Sequence, residues 1–187
     1  MNDIAITGLA RAGKDSVAAR LVEAHGYVRV AFADRLKEAA LKADPIVSAY
    51  GNNEDTMAET VRLSEIVNDY GWEAAKDLYP EVRRFLQNYG QTVREIDPQF
   101  WIKAAGDAVR AAHAAGQPVV FTDVRYRNEA DYLAANGFRI VRVIRPGQEP
   151  GAHVSERDML RYPATRTIVN DGSLEALAAC ADTLTAG

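Results

Sequence analysis

A single cysteine, Cys180, is all the thiol chemistry the chain has, which excludes an intrachain disulfide. Its setting in an alanine-rich helical pattern reads as a buried, reduced thiol. No apolar run approaches the roughly 20 residues that a membrane span needs, and the sequence enters a strand pattern at once, without the basic, apolar and cleavage regions of a leader. A cytoplasmic protein with no membrane partner is expected. An excess of positive charge is missing too: 22 Lys and Arg against 26 Asp and Glu leave a net charge of −4, which argues against a protein built to coat nucleic acid. Local arginine clusters can still hold a small phosphate ester. No repeat, low-complexity tract or Pro/Gly/Ser-rich linker divides the chain. What remains is 187 residues, 48% of them apolar, enough for one α/β domain to bury a core without disulfide or metal staples.

Residues 3 to 7 form a short apolar run, followed by a glycine loop and then by Val17, Ala18, Leu21, Val22 and His25 at helical spacing, with Gly26 as the stop. Val28, Val30 and Phe32 alternate as in a strand, and Leu36, Ala39, Ala40 and Ala43 return to helical spacing. Residues 44 to 55, with Pro45, Gly51, Asn52 and Asn53, read as a loose excursion from the core. Thr56 and Glu59 form a capping-box signature that predicts a helix running toward Tyr70. Two further amphipathic helices carry Val82, Phe85, Leu86, Tyr89 and Val93, then Ile102, Ala105, Val109 and Ala112. Strand patterns return at 118 to 123 and 138 to 144, separated by a helix that stops at Asn136-Gly137. A last strand at 166 to 169 leads into a terminal helix with Leu174, Leu177, Ala178 and Ala181 on one face. Five strands alternating with helices predict an α/β fold whose parallel sheet is covered on both faces.

The strongest chemical signal is Gly8-Leu9-Ala10-Arg11-Ala12-Gly13-Lys14, a G-x-x-x-x-G-K loop between a predicted strand and a predicted helix. Its glycines let successive backbone N–H groups turn inward around phosphate oxygens, the helix N-terminus adds a favourable dipole, and Lys14 reaches the β- and γ-phosphates. The hydroxyl residue that usually follows the lysine and holds Mg²⁺ is replaced by Asp15, with Ser16 next. A carboxylate there either binds Mg²⁺, directly or through water, or simply complements the helix dipole.

Ligands of open parallel sheets bind beyond the carboxyl ends of the strands, and the residues there are polar: Asp34 to Lys37, Asp123 and Arg125, Arg145, and Asn170-Asp171. Asp123 is placed to hold magnesium through water or accept a proton, and Arg125 to pair with a phosphate; a surface salt bridge is the competing account. On the helix around residue 86, Arg83, Gln87 and Arg94 share one side, which suits either a phosphate and base edge or an ordinary solvated face. The segment with Arg145, His153, Ser155, Glu156, Arg157, Arg161 and Arg166, opened by Pro146, Gly147, Pro150 and Gly151, looks like a lid that delivers arginine to a transferring phosphoryl group. His153 lacks a visible nucleophile partner and reads as a loop or capping residue.

Taken in order, several stretches resemble the phage-type deoxynucleoside monophosphate kinase family, P-loop phosphotransferases, over nearly the whole chain. They are Gly8 to Ser16, Phe32-Ala33-Asp34-Arg35-Leu36-Lys37, Leu86-Gln87-Asn88-Tyr89-Gly90 with Arg94 and Phe100-Trp101, Thr122 to Glu129, His153-Val154-Ser155-Glu156, and Asn170 to Leu174. The resemblance implies an acceptor pocket drawn from Asp34, Lys37, Arg83, Gln87, Arg94, Trp101, Arg125 and Glu129, and an adenine-side loop near Asn170. Tyr126-Arg127 stands where the family more often shows a Phe-Pro-like pair, and Gln91 where Gly-Thr is more typical; these departures bear on base selectivity.

The expectation is therefore a single P-loop NTPase domain of the nucleoside monophosphate kinase type over residues 1 to 187. It is a three-layer fold with a five-stranded parallel sheet, a helical acceptor-binding insertion from about 37 to 101, and a lid from about 146 to 163. The expected reaction is ATP plus dNMP giving ADP plus dNDP, with Mg²⁺ near Asp15 and Asp123. Lys14, Asp123, Arg145 and Arg157 are the catalytic candidates, and Gly8, Leu9, Ala10, Arg11, Ala12, Gly13, Lys14, Asp15, Ser16 and Asn170 would bind ATP. Partners are small nucleotides, with a homodimer left open. Other small-molecule P-loop kinases, acting on phosphomevalonate or dephospho-coenzyme A, share the same loop and lid logic. A nucleotide switch or ATPase is disfavoured, since no guanine-reading Asn-Lys-x-Asp is present.

Overall fold

β-branched runs too short for helices supply the strands, and alanine- and leucine-rich runs at a 3.6-residue period supply the helices. In chain order the elements are β1 (Ile4–Thr7), α1 (Lys14–His25), β2 (Val28–Val30), α2 (Phe32–Ala43), β3 (Ile46–Tyr50), β4 (Glu59–Arg62), α3 (Leu63–Leu78), α4 (Pro80–Ile96), α5 (Phe100–Ala114), β5 (Val119–Phe121), α6 (Arg127–Ala135), β6 (Arg139–Ile144), β7 (Arg166–Val169) and α7 (Leu174–Asp182). The computed structural model describes residues 2–50, 59–149 and 157–185. The chain divides into two compact units, Met1–Phe32 with Ile102–Gly187, and Ala33–Trp101.

The first unit carries a five-stranded sheet in the order β2-β5-β1-β6-β7, parallel at every pairing. Alternation along the strands divides its side chains between two faces. Ile4, Ile6, Val120, Val141, Val143 and Ile168 pack with Val17 and Leu21 of α1 and with Leu177 and Ala181 of α7. The other face carries Phe121, which meets Phe32 at 4.7 Å and Phe138 at 5.6 Å between ring centroids. These rings line a cavity with Ile102 and Val109 of α5 and Leu133 of α6. Helices thus cover both faces, giving the three-layer fold and the five parallel strands expected from the sequence. Because α1 and α6 lie on opposite faces, the loops leaving β1 and β5 part company, and a crevice opens at the carboxyl edge between them.

In the second unit the sequence-based expectation needs correcting. Residues 46 to 50, read as part of a loose excursion, form a strand that pairs antiparallel with β4. The helix expected from Thr56 begins at Leu63 instead; Thr56 lies outside the described residues, and Glu59 belongs to β4. Val47 is buried against Leu63, Ile66, Val82 and Leu86, so burial of one strand face outweighs the turn-forming residues nearby. The cap of α3 comes from elsewhere: Asp44 Oδ1 accepts the Ser64 N–H at 2.8 Å, and Glu65 accepts the Arg62 N–H at 2.8 Å. The Ser64 N–H is also the main reason the Asp44 carboxyl titrates below its ordinary range. The helical path of α3 is interrupted at Gly71, where φ is 71°. Among the described residues no helix is long and apolar enough to cross a membrane.

One ion cluster joins the first and last helices of the sheet unit. Asp182 accepts Arg20 Nε at 2.8 Å and Nη2 at 2.9 Å, and its Oδ1 lies 2.7 Å from His25 Nε2. The Arg20 fork, then the His25 ring, hold the Asp182 carboxyl down at about 2, below its ordinary 3.8. A carboxyl lowered by folding contributes stability that is complete above its unfolded value and is lost as pH falls through the folded one. The gap in urea midpoint between wild type and Asp182→Asn should therefore hold steady above about pH 5 and narrow between about pH 4 and 2. A gap independent of pH across that window would overturn the assignment.

Candidate active site

All five strands run the same way, so the segments that follow them share one edge. β1 delivers the glycine loop there. Gly8 has φ 144°, and a Cβ on it would fall 2.2 Å from the Val143 carbonyl oxygen of β6. Gly13 has φ 104°, and a Cβ there would fall 2.6 Å from Asn170 Nδ2. Arg11 adopts φ 61° between them. The loop is thus squeezed from both sides into a path that backbone without side chains can follow.

Lys14 opens α1, and its Nζ donates to Gly8 O at 2.9 Å and Leu9 O at 2.7 Å, folding the ammonium back over the loop. The N-cap, Gly13, offers no side-chain acceptor to the first turn. A glycine loop, an uncapped helix N-terminus and a lysine at its mouth are features that suit an anion. Asn170, the expected adenine-side residue, braces this loop: its Nδ2 donates to Ala12 O at 2.9 Å, and its own N–H meets Ile144 O at 2.7 Å. Asp15 and Ser16 are exposed in the first turn of α1.

Beyond β5, Asp123 Oδ1 accepts the Phe32 N–H at 3.0 Å, tying the end of β5 to the start of α2. Glu129 is buried, and its Oε2 accepts the N–H groups of Arg125 and Tyr126 at 2.9 and 3.1 Å. It holds the turn that presents the exposed Arg125. Arg145, also exposed, follows β6 and lines a cavity of about 250 Å³ with Thr7, Gly8, Leu9, Gln148 and Met159. Of the expected lid, residues 150 to 156, with His153, Ser155 and Glu156, lie outside the described residues. Its later part is anchored: Asp158 accepts the Arg127 N–H at 2.7 Å, Arg142 donates to the carbonyls of Met159 and Tyr162, and Tyr162 donates to Asp131 at 2.9 Å. Arg157 and Arg161 are exposed on it.

Asp34, Lys37, Arg83, Gln87, Arg94 and Trp101 belong to the second unit. Lys37 Nζ lies 5.6 Å from the Trp72 ring centroid, and Arg83 pairs with Asp77 at 3.0 Å. Trp101 is buried; its Nε1 and Arg94 Nη1 both donate to Gly90 O, at 3.2 and 3.3 Å. Gly90 lies where a Cβ would come 3.1 Å from Leu36, so this mid-helix glycine, a weak point by propensity, permits a close approach. Gln87 is exposed on the same side as Arg83 and Arg94. Among the described residues no group of three or more His, Cys, Asp or Glu gathers to hold a metal. The carboxylates at the sheet edge suit an ion such as Mg²⁺, which binds through one or two carboxylates and substrate phosphates.

A family model described as deoxynucleotide monophosphate kinase matches residues 40–180. The chain belongs to this family. It is similar to uncharacterized protein ORF76 of Ictalurid herpesvirus 1 (strain Auburn), at 30% identity over 82% of this chain and 65% of that protein. It is similar also to the deoxynucleotide monophosphate kinase of Enterobacteria phage T4, at 32% identity over 51% of this chain and 42% of the phage protein. The matched region thus spans about two fifths to two thirds of the length of these relatives. Among solved structures, TT1252 from Thermus thermophilus covers 100% of this chain and 98% of its own at a TM-score of 0.51 and 18% identity, a likeness of fold.

Two residues escaped sequence reasoning. Asp44 caps α3 from 20 positions away, which no local pattern reveals. Gln148 reaches Ala10 O at 3.0 Å; the only trace of this in sequence is the Pro146-Gly147 pair before it, a turn signal.

The clamp on the loop generates a sharp expectation. Gly8→Ala drives a Cβ into backbone rather than into a movable side chain, so it should cost roughly 2 kcal/mol or more in urea unfolding. Wild-type stability in that variant would show that the loop is free of β6.

Proposed function

We propose that the protein transfers the γ-phosphoryl group of ATP to a deoxynucleoside monophosphate. The observation that carries this reading is the glycine loop with Lys14 at the uncapped N-terminus of α1, at the same sheet edge as Asp123, Arg125 and Arg145. Family membership and the phage relative's printed activity support the choice of acceptor.

In this reading the loop N–H groups and the α1 terminus bind the ATP phosphates, and the Lys14 ammonium exchanges the carbonyls of Gly8 and Leu9 for β- and γ-phosphate oxygens. Asp15 and Asp123 are the carboxylates that would hold Mg²⁺, which would supply charge neutralisation at those oxygens. Arg145 and Arg157 stabilise the charge spread over the equatorial oxygens of the transferring group. Within the second unit, Arg94, Arg83 and Lys37 are the cations that would bind the acceptor phosphate, and Gln87 would read a base edge. Positioning and electrostatics suffice for this chemistry, so no covalent protein intermediate is required.

ADP release measured with ATP, Mg²⁺ and each nucleoside and deoxynucleoside monophosphate in turn should show formation that depends on a deoxynucleoside monophosphate. Its absence with every such acceptor sinks the proposal. Lys14→Met should remain folded and lose turnover by roughly 10²–10³; near-normal turnover would remove the loop from the reaction.

Arg94→Ala separates a binding face from a solvated one. Loss of a charge-assisted contact to the acceptor phosphate should raise the acceptor KM roughly tenfold or more while leaving the KM for ATP near wild type. Unchanged acceptor KM would move the acceptor off α4.

A further inference from the structure

The turn that carries Arg157 is fastened to the sheet unit from two elements. It is closed by the Leu160 N–H on Arg157 O and the Tyr162 N–H on Met159 O, both at 3.1 Å. From β6, Arg142 Nη2 donates to Met159 O at 2.9 Å and also to Tyr162 O. From α6, the Arg127 N–H meets Asp158 at 2.7 Å, and Asp131 Oδ1 accepts the Tyr162 hydroxyl at 2.9 Å. Met159 and Tyr162 are buried, at 6% and 8% exposure. Directly afterwards the Thr165 N–H meets Ile140 O at 2.8 Å, and the chain enters β7. All of these residues belong to the sheet unit.

Arg142 is the contact nearest in register to the glycine loop. It pairs with Thr7 across β6 and β1, and Thr7 precedes Gly8. Both of its partners are backbone carbonyls, so it fixes the path of the chain and not one side chain. Both bonds leave a single nitrogen, which a lysine ammonium with its three donors can imitate. Ordering a backbone costs free energy residue by residue. A cation on a turn already ordered in the empty protein is spared that cost when charge develops beside it, and positioning of this kind governs rate steeply.

We propose that Arg142 is a positioning residue for phosphoryl transfer: it holds the turn of residues 157–162 in place beside the glycine loop, so that Arg157 belongs to the fixed frame of the sheet unit. This rests on the kinase reading and deepens it, since Arg142 acts through Arg157 and touches no substrate.

Steady-state kinetics of wild type, Arg142→Met, Arg142→Lys, Arg157→Ala and the double variant Arg142→Met/Arg157→Ala test this, beside hydrogen exchange over residues 157–162. Arg142→Met should lower kcat roughly ten- to a hundredfold, with the KM for ATP within about threefold of wild type. Exchange over the turn should quicken roughly tenfold while that of β1 stays put. Arg142→Lys should recover most of both losses. In the Arg157→Ala background the methionine should lower kcat by less than about threefold more, because nothing is left to position. Losses that multiply in the double variant overturn the proposal, since Arg142 then acts without Arg157. A wild-type kcat or unchanged turn exchange in Arg142→Met overturns it equally. If Arg142→Met does not fold, Tyr162→Phe, which gives up only the bond to Asp131, carries the comparison: a kcat loss that disappears in the Arg157→Ala background supports the fixed turn, and no loss or one that persists overturns it. Failure of the kinase reading shows separately, as a wild type without acceptor-dependent ADP formation.

Discussion

The parallel pairing of β1 between β5 and β6 constrains everything at the candidate site. Thr7 pairs with Arg142, so the next residue on each strand brings Gly8 against the Val143 carbonyl with no room for a side chain. From there the loop cannot relax outward, because Asn170, carried by β7, braces Ala12 from the far side. A loop clamped between two strands holds its N–H groups in one arrangement, and dipoles fixed in this way need little reorganisation to stabilise a charge. The same pairing commits two carboxylates to geometry. Glu129 holds the turn bearing Arg125, and Asp123 ties the end of β5 to the start of α2.

The second unit handles charge differently. Several of its cations already have anionic or aromatic company: Arg83 has Asp77, Lys76 has Glu73, and Lys37 has the Trp72 ring. The Glu73 carboxyl is held below its ordinary range by Lys76 first, and further by Lys37 and Arg83. Exposed pairs of this kind contribute little to stability, which leaves them free to rearrange. Rigidity in this unit comes instead from the close approach at Gly90, where Leu36, Arg94 and Trp101 converge.

Much of this architecture was legible in the sequence because it depends on short-range pattern. The five parallel strands, the helices between them and the glycine loop announce themselves through periods of two and 3.6 residues and through residue types that suit one backbone geometry. Ile46–Tyr50 escaped because Pro45, Gly51, Asn52 and Asn53 frame it as a loop, and only a partner strand and a buried Val47 make it a strand. Its pairing cannot be read from either segment alone, since antiparallel strands gain their hydrogen bonds from each other. The start of α3 was misplaced for a related reason: its cap comes from Asp44, remote in sequence.

By itself, then, the sequence determined the order of the elements in the sheet unit, the parallel sheet, and a glycine loop with Lys14 at its mouth, because each follows from local propensity and fixed spacing. Tertiary structure alone decided what the polar residues around that loop do. Asn170 braces the loop, Glu129 caps a turn, Trp101 is buried against Gly90, and Gln148 turns one end of its amide to Ala10. A polar side chain in a one-dimensional pattern is only a set of donors and acceptors. Its role depends on which partners arrive from distant parts of the chain and which of its atoms they leave unsatisfied.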